Sequence, residues 1–145
     1  MKVQGSIEIA APPQKIWALL TKRETMSQVF PWCERFDFVG EQRSGVGGMF
    51  YLVEKLDGRT MRYLFEITEW EENKKLASRQ VLGDVKKAEV VFTIEAAEAG
   101  SRFTLVYDGV LPGWIIGKIM ELFVGKRFKK KAEEDLANIK RLAEA

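Results

Sequence analysis

The stretch IEIAAPPQKIWALL, residues 7 to 20, contains the change of periodicity that decides the fold. Apolar and polar side chains alternate over 3–10, and this period of two predicts a half-buried strand. Pro12 ends the strand because proline donates no hydrogen bond to a sheet. Pro13 suits the first position of a helix, where its fixed φ is already helical. Trp17 follows at helical spacing among apolar residues, and we expect it in the core rather than in a binding site.

Six further segments are predicted to be strands, because apolar and polar residues alternate between short turns. They are residues 35–41, 49–56, 60–70, 75–82, 88–96 and 102–110. The Asp-Gly pair at 57–58 is a strong hairpin signal. Neighbouring strands should be antiparallel, since parallel strands need long crossover connections.

Helices are expected at two places along the chain. A short helix over 25–30 follows the one that begins at Pro13. Apolar residues then recur at intervals of three and four from Ile116 to Leu142, with Gly117 and Gly125 inside the run, which predicts a long amphipathic helix. The predicted fold is α+β: a seven-stranded antiparallel sheet curved around a long C-terminal helix, with two short helices between strands 1 and 2. A gap between sheet and helix would be a cavity.

Composition excludes several classes of functional site. The 145 residues suit one domain, 1–145, and contain one cysteine and no histidine. An internal disulfide, a Cys/His zinc site and a Ser-His or Cys-His nucleophile are therefore excluded. A formal net charge of +2 gives no indication of nucleic-acid binding. We expect a cytoplasmic location, because no leader or membrane-spanning segment is evident, and we expect no cofactor.

Five stretches together resemble the START-like superfamily, also called helix-grip or SRPBCC, and within it the polyketide cyclase/dehydrase and lipid-transport group. They are IEIAAPPQKIWALL, PWCERFDFVGE, GVGGMF, FEITEWEENKKLA and DLANIKRLAE. The resemblance covers nearly the whole chain in order. It implies a grip-shaped sheet around the last helix, with a deep pocket for an apolar or aromatic ligand. It implies no single activity, since the superfamily contains lipid carriers, hormone and quinone binders, cyclases and co-chaperone-like modules.

Candidate ligand-binding residues come from the face that the strands turn toward the last helix. Alternation places Met49, Tyr51 and Val53 on this face in one strand, and Glu69 on it at the end of the next. The candidate ligand-binding residues are Trp32, Tyr51, Tyr63, Phe65, Gln80, Phe92, Tyr107, Trp114, Met120 and Phe123. A few polar groups in an apolar concavity would orient a small molecule. The alternative is that the tyrosines are core residues whose hydroxyl groups reach backbone partners.

Charged residues and the cysteine are each open to a structural interpretation. Glu69 is either a buried acid or base, or a solvent-exposed partner of a lysine. Arg62 and Arg79 are expected to face outward. The basic run 126–131 is expected to be solvated apart from Phe128, with contact to anionic lipid as the alternative. Cys33 is expected to be a small buried residue.

Three hypotheses of function follow from this sequence. The first is a module that binds a lipid, quinone or polyketide-like compound in the cavity. The second is a cyclase/dehydrase-type enzyme that uses pocket Tyr, Glu or Arg side chains, and it requires a buried charged group at the cavity. The third is a protein-interaction module with an exposed apolar patch around Trp114 and the glycine turn at 45–48. Oligomeric state is left open.

Overall fold

The structure, a computed structural model, describes residues 1–110 and 117–145. The elements are β1 (Lys2–Ile9), α1 (Pro13–Thr21), a 3₁₀ turn (Arg23–Thr25), α2 (Met26–Val29), β2 (Cys33–Val39), β3 (Met49–Leu56), β4 (Arg59–Glu71), β5 (Lys75–Gly83), β6 (Lys87–Ala97), β7 (Gly100–Val110) and α3 (Lys118–Glu144). None of the helices in these two ranges is both long and apolar enough to cross a bilayer.

The seven strands form one antiparallel sheet in the order β1-β7-β6-β5-β4-β3-β2, which confirms the predicted fold class. The predicted hairpin between β3 and β4 turns at Asp57 and Gly58, whose φ angles are 52° and 80°. The long helix α3 packs mainly on β1 and also contacts β7, α1 and α2. Because α3 lies over one side of the curved sheet, the concave faces of β3 and β4 are free to line a pocket.

The opening stretch folds as its sequence predicts. Pro12 caps α1 and Pro13 is its first residue. Trp17 is buried, and its ring meets that of Trp70 edge-on with 5.0 Å between centroids. The prediction that Trp17 belongs to the core is confirmed.

Strand β3 presents the opposite face to the one predicted. Leu52 and Glu54 are buried on the concave side, so the prediction that Tyr51 and Val53 face inward is wrong. The guanidinium of Arg35 instead lies 5.6 Å from the centroid of the Tyr51 ring, on the outer face. The sequence misleads because residues 49–53 are all apolar, and a charged residue at 54 favours the wrong register of alternation.

Strand β4 changes register near its end. Tyr63, Phe65 and Ile67 are buried as predicted, but the pairing with β5 is irregular between Ile67 and Glu69. An extra residue at such a bulge reverses which side chains face inward. Trp70 therefore packs into the core, while Glu69 is 52% exposed and pairs with Lys75 at 2.9 Å. The inward placement of Glu69 is wrong, and its solvent-exposed alternative is correct.

The two arginines considered for an inward role lie on the outer face. Arg62 is 60% exposed and has a carboxylate oxygen of Asp84 at 3.9 Å. Arg79 is 58% exposed and has a carboxylate oxygen of Glu66 at 3.8 Å. Cys33 is buried as expected, and desolvation raises the pKa of its thiol to about 11. A thiol of this kind is protonated at neutral pH and unreactive.

Helix α3 differs from its prediction at the N-terminal end. It starts at Lys118, and Gly117 precedes it with a φ of 84°. Ile119 and Phe123 belong to the predicted apolar stripe but are 74% and 71% exposed, because this end of α3 lies beside the pocket rather than on the sheet. Lys131, expected at the surface with the rest of the basic run, is only 5% exposed.

Gly100 is the residue that allows the turn between β6 and β7 to pack against the corner after β1. Its φ is 135°, and a Cβ there would meet backbone atoms of Ile9 and Ala11 at 2.7 Å. Ser101 Oγ donates a hydrogen bond to the Ala11 carbonyl in the same contact, at 2.7 Å. The corner that follows β1 is therefore fixed from both sides.

We expect Gly100→Ala to lower the free energy of unfolding by roughly 3 kcal/mol, from backbone strain together with the steric clash. Urea denaturation measures this loss. Gly40→Ala is the matched control, since Gly40 has a φ of 78° but a Cβ at this position would meet no neighbouring atom within 4 Å. Strain alone should cost that variant about 1 kcal/mol. Equal losses in the two variants would contradict this account of the corner.

Candidate functional site

A pocket of about 630 Å³ lies between the concave face of the sheet and α3. Its wall is mainly apolar. The apolar side chains that line it include Val3, Leu52, Met61, Tyr63, Phe65, Val90, Val124 and Phe128. The pocket also reaches the β3–β4 turn and the exposed Phe123 at the start of α3. It has the size and apolar character of a small-molecule site.

An ion pair lies in the wall of this pocket. Lys131 Nζ donates a hydrogen bond to Glu54 Oε2 at 3.3 Å, and the two side chains are only 6% and 5% exposed. Both residues line the pocket. A buried charge is costly unless it is paired, so each of these groups requires the other.

Aromatic rings surround the Lys131 ammonium on its other sides. Nζ lies 3.8 Å from the centroid of the Trp32 ring and 4.8 Å from that of Tyr107. Phe128 is the third ring, at 5.5 Å. The negative faces of aromatic rings attract a cation, most strongly when water is excluded. The rings therefore help to hold Lys131 in an otherwise apolar place.

Asp135 holds two of these rings in position. Its carboxylate accepts a hydrogen bond from Trp32 Nε1 at 2.9 Å and one from the Tyr107 hydroxyl at 2.7 Å. Burial raises the pKa of Asp135 to about 6, although the Tyr107 hydrogen bond and the charge of Lys131 both oppose the rise. Burial also raises the pKa of Tyr107, so that its hydroxyl remains a donor.

A smaller cavity of about 80 Å³ adjoins the large pocket. Five side chains border both this cavity and the large pocket: Trp32, Leu52, Phe65, Val90 and Tyr107. Phe92 lines only the smaller cavity, where it stacks on Phe30 with 5.7 Å between centroids. Asp135 therefore holds two of the five side chains that border both spaces.

The structure brings together only some of the residues predicted for the site. Those that line the large pocket are Trp32, Tyr63, Phe65, Tyr107, Met120 and Phe123. Tyr51 is on the outer face, and Gln80 turns away to donate a hydrogen bond to the Val85 carbonyl at 2.6 Å. Gln80 was predicted to face the pocket and does not line it, because the β4–β5 pairing is irregular beside it. Trp114 lies outside the described residues.

Sequence reasoning missed the three charged residues at the centre of the site. Glu54 is missed because the predicted register of β3 places it on the outer face. Lys131 is missed because it belongs to a basic run that is expected to be solvated. A usable signal exists on α3: Lys131 and Asp135 are spaced i, i+4, three and seven residues after Phe128, and they continue its apolar stripe. Charged residues within such a stripe must be paired if they are buried.

We expect Lys131→Met to lower the free energy of unfolding by roughly 3–5 kcal/mol, since it leaves the Glu54 carboxylate buried without its partner. The double variant Glu54→Leu with Lys131→Met should recover most of that loss in urea denaturation. Lys75→Met is the control, because Lys75 and Glu69 are closer, at 2.9 Å, but exposed. That change should cost less than about 1 kcal/mol. If the double variant has the same free energy of unfolding as Lys131→Met, the loss does not come from the unpaired Glu54 carboxylate, and this account of the ion pair is wrong.

The raised pKa of Asp135 makes a prediction about pH. The folded protein binds a proton at Asp135 more tightly than the unfolded chain does, so this group's contribution to stability falls as pH rises from about 4 to 6. Asp135→Asn keeps the shape and cannot ionise. Relative to the wild type, this variant should gain roughly 2–3 kcal/mol between pH 4 and pH 7, measured by urea denaturation. Glu69→Gln, at an exposed site, is the control, and a pH-independent difference for Asp135→Asn would refute the assignment.

Comparison with known proteins agrees with this fold. The family model described as polyketide cyclase/dehydrase and lipid transport matches residues 1–144. A comparison with curated protein sequences finds no match.

Solved structures give the same result for the fold. A Thermus thermophilus protein is similar with a TM-score of 0.85 and 21% identity, over 99% of this chain and 97% of its own. A Streptomyces aromatase/cyclase has a TM-score of 0.81 and 17% identity, over 99% of this chain and 93% of its own. A Mycobacterium smegmatis START superfamily protein has a TM-score of 0.77 and 17% identity, over 97% of this chain and 98% of its own. With the family match over 144 residues, these similarities show that the chain belongs to the polyketide cyclase/dehydrase and lipid transport family, within the START-like fold.

Proposed function

We propose that this protein binds a hydrophobic small molecule in the pocket between the sheet and α3. The observation that carries the proposal is an apolar space of about 630 Å³ with a paired charge, Glu54 and Lys131, in its wall. Pockets for drug-sized ligands are usually about 300–1,000 Å³, with a few placed polar groups in an apolar lining. Membership of a family that includes lipid transport supports the same class of ligand.

Binding would be driven by removing apolar ligand surface from water. Each methylene group that enters the pocket contributes about 0.8 kcal/mol before the cost of association is subtracted. Tyr63, Phe65 and Leu52 supply the apolar contact area on the sheet side. The buried ion pair adds little net attraction for a hydrocarbon chain, so it should set orientation rather than strength.

Displacement of an uncharged fluorescent probe tests the proposal. N-phenyl-1-naphthylamine should brighten when it binds, and decan-1-ol should displace it. Ala88 lines the pocket on β6, and Ala88→Trp should fill part of the space and weaken probe binding by about tenfold or more. Val81→Trp is the control because Val81 is 42% exposed and is not part of the pocket wall.

Two results would contradict the proposal. One is the absence of probe binding by the wild type. The other is probe binding that Ala88→Trp leaves unchanged, because the probe would then occupy some other surface. The thermal unfolding of both tryptophan variants should be measured beside the wild type, so that a folding defect is recognised.

A second candidate is a cyclase/dehydrase-type enzyme, and one observation favours it. Glu54 is a buried carboxylate at the pocket wall, as an acid or base would be, and Lys131 beside it could stabilise an enolate oxygen. The similar Streptomyces protein is described as an aromatase/cyclase. Mass analysis of a polyketone recovered after incubation separates the two functions. A carrier returns the compound unchanged, whereas a cyclase/dehydrase returns a product lighter by one water.

A further inference from the structure

One oxygen of the buried pair has no partner. Glu54 Oε2 accepts from Lys131, but Oε1 is buried and makes no hydrogen bond with any residue that the structure describes. A buried carboxylate oxygen without a donor is costly, and native proteins rarely retain one without a reason. Because Glu54 lines the pocket and the last torsion of a glutamate is soft, a small rotation presents this oxygen to a ligand.

Lys131 has donors left over as well. An ammonium group carries three N–H donors. Within residues 1–110 and 117–145, the only hydrogen bond from Lys131 goes to Glu54, and its other close neighbours are the faces of Trp32 and Tyr107. The pocket wall therefore holds one carboxylate oxygen without a partner beside an ammonium group with two N–H donors that make no hydrogen bond to any described residue.

The charges around this point discriminate against ions. Glu54 and Asp135 are carboxylates and Lys131 is the one ammonium among the three, so together they carry one negative charge when all are ionised. An anionic head group placed here would meet two carboxylates. A cationic head group would be attracted by the carboxylates, but it would lie against the Lys131 ammonium and has no lone pair to accept a hydrogen bond from it.

Two further pairs of charged residues in the pocket lining are more exposed than Glu54 and Lys131. Arg127 is 30% exposed, and its guanidinium charge is already balanced by carboxylate oxygens of Asp57 at 2.6 Å and Glu134 at 3.9 Å. Glu89 is 43% exposed and has Lys87 at 3.9 Å. Exposed charges are screened by water and salt, so they discriminate weakly between ligands. We therefore expect Glu54, Lys131 and Asp135 to decide which ligand charge the pocket accepts.

We propose that the pocket selects an uncharged amphiphile with a hydroxyl group, which donates a hydrogen bond to Glu54 and accepts one from Lys131. The inference rests on the proposed function and names the ligand class for the same pocket. A hydroxyl is the smallest group that supplies both a donor and an acceptor. A site with unsatisfied polar groups rejects analogues that leave those groups unpaired.

Four ligands with the same ten-carbon chain test this selection by displacing N-phenyl-1-naphthylamine at pH 8. They are decan-1-ol, its methyl ether, decanoate and decylammonium. The alcohol should displace the probe at a concentration lower by about tenfold or more than each of the other three. The ether isolates the hydrogen bond to Glu54, because it accepts but cannot donate.

The variant Glu54→Gln tests whether Glu54 is the residue that makes the pocket prefer the alcohol. Removing this charge leaves Lys131 free to pair with an anion, so the preference for alcohol over decanoate should fall by about tenfold or more. Glu89→Gln is the matched control, since Glu89 lines the same pocket but is 43% exposed. In this variant the ratio of alcohol to decanoate affinity should stay within about twofold of the wild-type ratio. Thermal unfolding shows whether both variants are folded. If Glu54→Gln is not folded, the order of the four ligand affinities for the wild type tests the proposal by itself.

The outcomes are distinct. Decanoate, decylammonium or the ether binding as tightly as the alcohol would overturn the selection while leaving hydrophobic binding in place. A Glu54→Gln variant that is folded and keeps the wild-type ratio would also overturn it. Absence of probe binding by the wild type would remove the proposed function, and the selection with it.

Discussion

The buried pair of Glu54 and Lys131 is the interaction on which the rest of the site depends. Two charges at about 5% exposure are tolerated only because they neutralise each other and because aromatic rings face the ammonium. The pair joins β3 to α3 in the wall of the pocket. It thereby ties the helix to the part of the sheet that the helix does not cover, and it places a polar group where the wall is otherwise apolar.

The ring positions follow from the same arrangement. Asp135 lies one helical turn after Lys131 and accepts hydrogen bonds from Trp32 and Tyr107, the two rings closest to the ammonium. These rings also border both the large pocket and the smaller cavity. Helix α3 thus supplies Lys131 and Asp135, β3 supplies Glu54, and apolar side chains of the sheet and of α3 complete the wall.

The sequence predicted the architecture but not the centre of the site. Strand alternation, Pro12 and Pro13 at the start of α1 and the period of α3 are local signals, and each predicted the type and place of its element. The face of β3 could not be predicted because residues 49–53 are apolar on both sides, and Glu54 is buried only through a partner 77 positions away. The bulge near Glu69 likewise depends on pairing with β5, which no local pattern contains.

The crystal structure of the protein with decan-1-ol is the most direct test of the central claim, that the buried pair orients an uncharged ligand inside the pocket. We predict the hydroxyl oxygen within hydrogen-bonding distance of both the Glu54 carboxylate and the Lys131 ammonium, with the alkyl chain along Leu52 and Phe65. A chain bound in the reverse direction, with the hydroxyl at the rim and carbon atoms against Glu54, would contradict the account.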